Sequence, residues 1–157
     1  MNTELDHQRH LLVIDDKNFL SGESVLAFFK ILLKSKPYKY VILNDVTAIG
    51  ENCIYGLFRN YDDTIFRIKD LLNIMEDVKH FEWGDFYFFD KFPSEWDHPI
   101  ECDYPYLIKQ SETVVRLIDD QYIYLYITED SVIEDIKNEY SIESLKTDFL
   151  DKLDFPY

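Results

Sequence analysis

The sequence has few of the residues that build nucleotide-binding loops, disulfide frameworks or membrane spans. Its four glycines are isolated, which excludes the glycine-rich loops that cradle phosphates. Its two cysteines are too few for a disulfide framework, and they neither require nor exclude one bridge. No apolar run approaches the ~20 residues of a membrane-spanning helix, and the polar residues 1–10 do not form a signal peptide. These absences predict a cytoplasmic protein that uses no cofactor.

Positive charge is scarce. Against 31 Asp and Glu there are only 16 Lys and Arg, which gives a net charge of -15. Such a surface repels nucleic acid, because DNA binding depends on neutralised phosphates, and it repels anionic membranes in the same way. It is well suited to a basic protein partner. The 46% hydrophobic content excludes disorder, and 157 residues are typical of one globular domain, residues 1–157.

Apolar periodicity predicts an α/β or α+β fold, with helices packed on a mixed sheet of about five strands. Ser21 can cap a helix, because Val25, Phe28 and Leu32 recur at helical spacing after it. Residues 50–59 are ambiguous and fit one short helix. The predicted strands are 10–15, 38–43, 85–90, 113–118 and 122–128. The predicted helices are 21–34, 62–79 and two more after residue 131. Asp62 or Asp63 is the predicted cap of the helix 62–79.

Three patterns near the end of the chain refine this prediction. Ser131 and Glu134 have the spacing of a capping box, which places a helix start there. After residue 141 the apolar spacing that includes Leu145 and Phe149 predicts a second helix. The tyrosine-rich strand 122–128 is a candidate sheet edge that could pair with a strand of a partner.

The strongest local signal is the segment 82–104, which contains seven acids, eight aromatic residues and a single lysine. Aromatic anchors beside carboxylates are what a binding hot spot against a basic protein requires. The alternative is that Trp96 and Tyr104 fold back onto the core while the acids are solvated. We expect the partner-binding residues to be Asp85, Asp90, Glu95, Trp96, Asp97, Glu101, Asp103, Tyr104 and Tyr106.

The stretch Gly50-Glu51-Asn52 resembles a motif of the small immunity proteins that neutralise bacterial nuclease toxins. Gly50-Glu51-Asn52 is similar to the Gly-x-Asn turn that opens the inhibitory helix of the barstar type. Cys53 rather than an acid follows the turn, so the resemblance assigns no inhibitory residue. In size, acidity and predicted topology the whole chain is similar to that class. The resemblance implies that the partner is a basic toxin domain, bound in a tight complex. A nuclease is the first expectation for this toxin.

Two other functions fit parts of the sequence. Asp15 and Asp16 resemble the magnesium-binding acids that end the first strand of receiver domains, and with Asp45 at an adjacent strand end they would suit a metal-dependent enzyme. His7 and His10 have no third ligand nearby, so we predict no metal site there. An acidic adaptor or a mimic of DNA would present the same surface as an inhibitor.

Acids beside aromatic anchors should matter more for binding than acids elsewhere, because anchors and charges act together in a hot spot. Calorimetry of two triple amide variants with a basic toxin domain would test this, at one salt concentration. Neutralising the loop acids should weaken binding far more, and equal losses would mean that only bulk charge matters. The two sets are Glu95, Asp97 and Asp103 in the loop, and Asp148, Asp151 and Asp154 on the last predicted helix.

Overall fold

The structure is a computed structural model that describes residues 9–15, 20–94, 96, 107, 110–140 and 145–150. In chain order the elements of these residues are β1 (Arg9–Asp15), α1 (Gly22–Ser35), β2 (Tyr40–Gly50), α2 (Ile54–Asn60), β3 (Ile65–Arg67), α3 (Ile68–Met75), β4 (Val78–Phe89), β5 (Thr113–Ile118), β6 (Tyr122–Ile127), α4 (Asp130–Glu139) and β7 (Leu145–Leu150). Within the described ranges, no helix has both the length and the apolar content to cross a membrane.

One sheet contains all seven strands, in the order β3-β2-β4-β5-β6-β1-β7. The predicted class, a sheet with helices packed on it, is confirmed, but every pair is antiparallel and the sheet is not mixed. A parallel return is usually made by a crossover of a dozen or more residues that contains a helix. After β2 the chain instead returns beside it in the opposite direction, first as β3 on one side and then as β4 on the other.

The helix α1 forms where the sequence predicts it, with Ser21 as its cap. The Ser21 hydroxyl accepts a hydrogen bond from the Ser24 amide at 3.1 Å. On the buried face, the ring of Phe29 meets Phe86 and Phe88 of β4 edge-on, with centroids 5.0 and 5.5 Å apart. All four described helices contribute to this one apolar cluster on the same face of the sheet. They form the first covering layer of the sheet.

The opposite face of the sheet, called here the second face, carries its own apolar cluster. Its strand residues come from β2, β4, β5 and β6, and its other members lie in the connection between β4 and β5. These two residues of the connection, Trp96 and Leu107, therefore cover part of the second face. The buried members of this cluster are Ile42, Tyr87, Phe89, Trp96, Leu107, Val114 and Tyr126.

Residues 62–79 do not form the one helix that the sequence predicts. They contain the edge strand β3 and the short helix α3. The two predicted cap residues, Asp62 and Asp63, form hydrogen bonds to β2 instead. The Asp62 carboxylate accepts the Asp45 amide at 2.6 Å, and the Asp63 carboxylate accepts the Asn44 side-chain amide at 2.6 Å. These tertiary bonds hold the loop before β3 against the sheet.

Strands β2 and β4 are longer than predicted and pair with each other along most of their length. The register shifts between Asn44 and Thr47, where Asp45 has a φ of 53°. A bulge of this kind interrupts the two-residue alternation of apolar side chains, which hides a strand from pattern reading. The ambiguous stretch 50–59 does contain a short helix, α2.

The end of the described chain differs most from the prediction. Helix α4 has Glu129 as its N-cap without a side-chain hydrogen bond, so Ser131 and Glu134 form no capping box. The Glu129 carboxylate pairs with Lys36 instead, and this contact raises the pKa of Lys36. Residues 145–150 form β7 beside β1, because pairing with an open strand edge outweighs a local helical pattern.

The hairpin of β5 and β6 is confirmed, but β6 is not a sheet edge. It lies between β5 and β1, and both of its sides are paired. The hypothesis that the tyrosine-rich strand recruits a partner strand is therefore wrong. In the described part of the chain the sheet ends at β3 and at β7.

Helix α1 starts against the backbone of β4, and only glycine fits there. A β-carbon on Gly22 would lie 1.9 Å from the Val78 carbonyl oxygen, whereas Gly56 in α2 has no atom within 4 Å of that position. We expect Gly22→Ala to lower the free energy of unfolding by about 1–3 kcal/mol. The control Gly56→Ala should raise it by about 0.5–1 kcal/mol. Urea unfolding measures both, and a harmless Gly22→Ala would contradict this contact.

Candidate functional site

Asp85, the first of the predicted partner-binding residues, is buried rather than exposed. It lies on β4 directly opposite Arg116 of β5, and its carboxylate accepts a hydrogen bond from Arg116 Nε at 2.9 Å. The two side chains are 2% and 4% exposed. A carboxylate in this position cannot reach a partner. The prediction that Asp85 belongs to the binding surface is wrong, because this acid neutralises an arginine inside the fold.

The Asp85–Arg116 pair belongs to a polar row across the second face of the sheet. Asn44 of β2 is the register partner of Asp85, and its amide donates to the Asp63 carboxylate. On the other side, Arg116 hydrogen-bonds Tyr126 of β6. Burial raises the pKa of the Tyr126 hydroxyl, although the nearby Arg116 opposes this. The row gives hydrogen-bond partners to groups whose burial would otherwise be costly.

Trp96, the predicted aromatic anchor, also faces the protein's own core. Its side chain is only 8% exposed and packs in the second-face cluster. Its indole Nε1 donates a hydrogen bond to the Asp63 carbonyl at 2.8 Å. The prediction that Trp96 belongs to the partner-binding surface is therefore wrong. The alternative prediction, that Trp96 folds back onto the core, is confirmed for this residue. The physical reason is that the apolar second face of the sheet has to be covered.

Asp90 remains as a described and exposed member of the predicted set. It follows β4 directly, and its negative charge contributes to the raised pKa of Lys36. The β4–β5 connection is thus fixed to the sheet at Trp96 and Leu107 and starts with an exposed acid. The other predicted binding residues lie outside the described residues: Glu95, Asp97, Glu101, Asp103, Tyr104 and Tyr106.

Two exposed aromatic side chains lie instead beside β3, which is an edge strand of the sheet in the described part of the chain. Tyr61 is 44% exposed and Phe92 is 55% exposed. Both line a groove of about 580 Å³, called here the β3-edge groove. Its lining residues are Tyr40, Leu57, Tyr61, Thr64, Ile65, Phe66, Arg67, Asp70, Ile74 and Phe92.

Two aromatic pairs form the walls of the β3-edge groove. Tyr61 meets Phe66 edge-on, and Tyr40 meets Phe92 edge-on, each with centroids 5.3 Å apart. Phe66 packs against the cluster on the helix side of the sheet, whereas Tyr40 packs against the second-face cluster. The groove therefore wraps around the edge of the sheet and has an apolar wall on each face.

The loop before β3 concentrates negative charge beside this groove. Burial raises the pKa of the Asp62 carboxyl, and the charges of Asp63 and Asp45 raise it further. The hydrogen bond from the Asp45 amide and the charge of Arg59 act in the opposite direction. Arg59 lies 3.5 Å from the Asp45 carboxylate and also stacks over Tyr55, 5.4 Å from its centroid. Arg59 thus offsets part of the negative charge of Asp45 and Asp62.

Sequence reasoning missed this groove because it placed residues 62–79 in one helix. In a helix Ile65 belongs to the buried face, whereas in β3 Ile65 and Phe66 pack on opposite sides of the sheet. The run Thr64-Ile65-Phe66 does carry a signal, since β-branched and aromatic residues favour strands. The acids before the run, Asp62 and Asp63, hid it, because they resemble a helix start.

The carboxylates suggested for metal chemistry do not meet at adjacent strand ends. Asp15 ends β1 and Asp45 lies on β2, with three strands between them. Four strand spacings amount to about 19 Å, whereas two oxygen ligands of one cation lie within about 5 Å of each other. Within the described ranges, no three His, Cys, Asp or Glu side chains are grouped closely enough to hold a metal. Asp16, His7 and the Cys102 region lie outside those ranges, and Cys53 is a free, exposed thiol.

Removal of the Asp85 carboxylate should leave the Arg116 charge buried without its counter-ion. We expect Asp85→Ala to lower the free energy of unfolding by about 3–5 kcal/mol. The matched surface variant Asp90→Ala should change it by no more than about 0.5 kcal/mol. The double variant Asp85→Leu with Arg116→Met should be less harmful than Asp85→Ala. Urea unfolding of the three proteins checks this, and equal losses for the two single variants would refute the buried pair.

Comparison with other proteins assigns no family to this chain. No family model, no curated protein and no solved structure matches it. Its function is therefore to be inferred from its own residues. These comprise a buried polar row, an acidic connection fixed to the sheet by Trp96, and an aromatic groove at the free edge of β3.

Proposed function

We propose that this protein is an immunity protein, which binds and neutralises a basic toxin domain in a tight complex. A nuclease is the toxin class that fits best. The observation that carries the proposal is the exposed aromatic pair Tyr61 and Phe92, which stands among the acids Asp62, Asp70 and Asp90 in a chain of net charge -15. This end of the sheet, with the β3-edge groove at its centre, is the proposed binding surface.

Aromatic side chains at this surface suit an interface because they are already held in place. The ring of Tyr61 contacts Phe66, and the ring of Phe92 contacts Tyr40. Each therefore has less conformational freedom to lose when a partner covers it, and this lowers the cost of binding. Large, rigid, partly exposed rings of this kind are the side chains that dominate binding energy at interfaces.

The charges suit a partner that binds phosphates. A nuclease holds its substrate with Lys and Arg, so a rigid acidic surface can occupy the same positions as the phosphates. Asp70 lines the groove, and Asp90 lies at the start of the β4–β5 connection. A net charge of -15 also steers a cationic partner toward the complex. Fast association serves an immunity protein, because free toxin is lethal to the cell that makes it.

Growth rescue and association kinetics test the proposal together. Co-expression with the basic toxin domain encoded beside its gene should restore growth of a bacterial host that the toxin alone kills. In stopped-flow mixing of the purified proteins, the association rate constant should fall roughly tenfold or more between 50 and 500 mM NaCl, because salt screens steering. No rescue, or a rate that salt leaves unchanged, would contradict the proposal.

Matched acid variants separate this surface from bulk charge. Asp70→Asn with Asp90→Asn should lower the association rate constant by about threefold to tenfold at low salt. The control pair Asp119→Asn with Asp120→Asn removes the same charge from the β5–β6 turn, three or four strands away from β3. Both control residues have positive φ, which asparagine tolerates, and their loss should matter less than about twofold. Equal effects would mean that the surface is placed wrongly.

A further inference from the structure

We infer that an extended cationic segment of the partner adds to β3 as a further strand of the sheet and fills the β3-edge groove. The inference rests on the proposed function, since it takes the partner to be a basic protein. Three observations support it. They are the direction of the free backbone groups of β3, the two-sided shape of the groove and the net charge of the chain.

Within the described residues, the backbone of β3 has hydrogen-bonding groups on the side away from β2 that pair with no strand. β2 is the only strand neighbour of β3 in the described chain. The Ile68 amide donates to the Lys39 carbonyl at 3.0 Å, which fixes the direction of the backbone groups. Because that direction alternates along an antiparallel strand, the amides of Ile65 and Arg67 and the carbonyl of Ile65 point away from β2. These are the groups that an added strand would bond.

The shape of the groove suits a strand better than it suits a small molecule. Side chains of an added strand would alternate between the two faces of the sheet. On the helix side they would meet Phe66 and Tyr61, and on the second face they would meet Tyr40 and Phe92. Apolar side chains could therefore be buried in both directions, while the backbone in the middle bonds to β3.

The net charge of the chain favours a basic segment over a second copy of this chain. Asp70 and Arg67 line the groove itself. Asp90 lines an adjoining pocket that shares Phe92 with the groove, and Lys39 and Lys69 line another that shares Tyr40 and Arg67 with it. Two copies that met edge to edge would each bring a net charge of -15 and would repel one another. Lys or Arg residues at the ends of an added segment would instead pair with these carboxylates.

Two variants at one position test strand addition directly. Arg67 has a φ of -74°, which proline adopts, and its amide does not face β2. Arg67→Pro therefore removes a donor that the described fold does not use, whereas Arg67→Ala removes the same side chain and keeps the donor. Both variants lose one positive charge, which by itself would strengthen the binding of a cation.

The probe is an acetylated and amidated heptapeptide, Lys-Lys-Val-Ile-Val-Lys-Lys, titrated into the ¹⁵N-labelled protein and followed by NMR. We expect saturable shifts of the Ile65 and Arg67 amide signals in the unsubstituted protein. The dissociation constant should be about fivefold larger for Arg67→Pro than for Arg67→Ala, since one hydrogen bond is lost. Equal constants for the two variants, or shifts centred on the β5–β6 turn, would overturn strand addition.

A second peptide keeps the test independent of how Arg67→Pro folds. Lys-Lys-Val-Pro-Val-Lys-Lys carries the same charge but cannot continue a strand ladder, so it should bind the unsubstituted protein more weakly. Equal binding of the two peptides would overturn the inference. Sedimentation of the protein alone gives a further check. If the unsubstituted protein forms a dimer that Arg67→Pro abolishes, the occupant of the groove is a second copy of this chain, and the inference is overturned. If only the peptide fails while the toxin domain binds, strand addition is wrong and the proposed function stands.

Discussion

The rest of the structure depends on the covering of the second face of the sheet by the β4–β5 connection. The sheet buries one face under its helices, and its other face must also be removed from water because that face is apolar too. Trp96 and Leu107 do this here, and the Trp96 indole is fixed to the Asp63 carbonyl. The buried Asp85–Arg116 pair lies on the same face. The most acidic and aromatic stretch of the chain is thus fixed to the sheet by its own aromatic residue.

This constraint divides residues that look equivalent in the sequence. Asp85 and Asp90 stand five positions apart, yet one neutralises an internal arginine and the other faces solvent. Trp96 serves the core, whereas Phe92 remains exposed beside Tyr40. Trp96 is fixed to the loop before β3, and Phe92, at the described start of the same connection, contacts Tyr40 and lines the aromatic groove there. The proposed binding surface is a consequence of how the second face is covered.

The parts of the fold that could be predicted are those that local sequence determines. Helix α1 has a cap and a regular apolar face, and the β5–β6 hairpin has a short turn between alternating strands, so both were predicted. Strands β3 and β7 depend on pairing with β2 and β1, which no local pattern reveals. The proposed site agrees with the sequence prediction only in its chemistry, acids with aromatic residues. Its position depends on which of these acids and aromatic residues are buried in the core, and packing between distant strands decides that.

Amide hydrogen exchange of the free protein and of its complex with the toxin domain tests the central claim most directly. If the β3 end of the sheet is the binding surface, complex formation should slow exchange in residues 61–67 and 90–94. The β5–β6 turn, at residues 119–121, should exchange as fast as in the free protein. Slowed exchange at that turn or at α4, with residues 61–67 and 90–94 unchanged, would contradict the account.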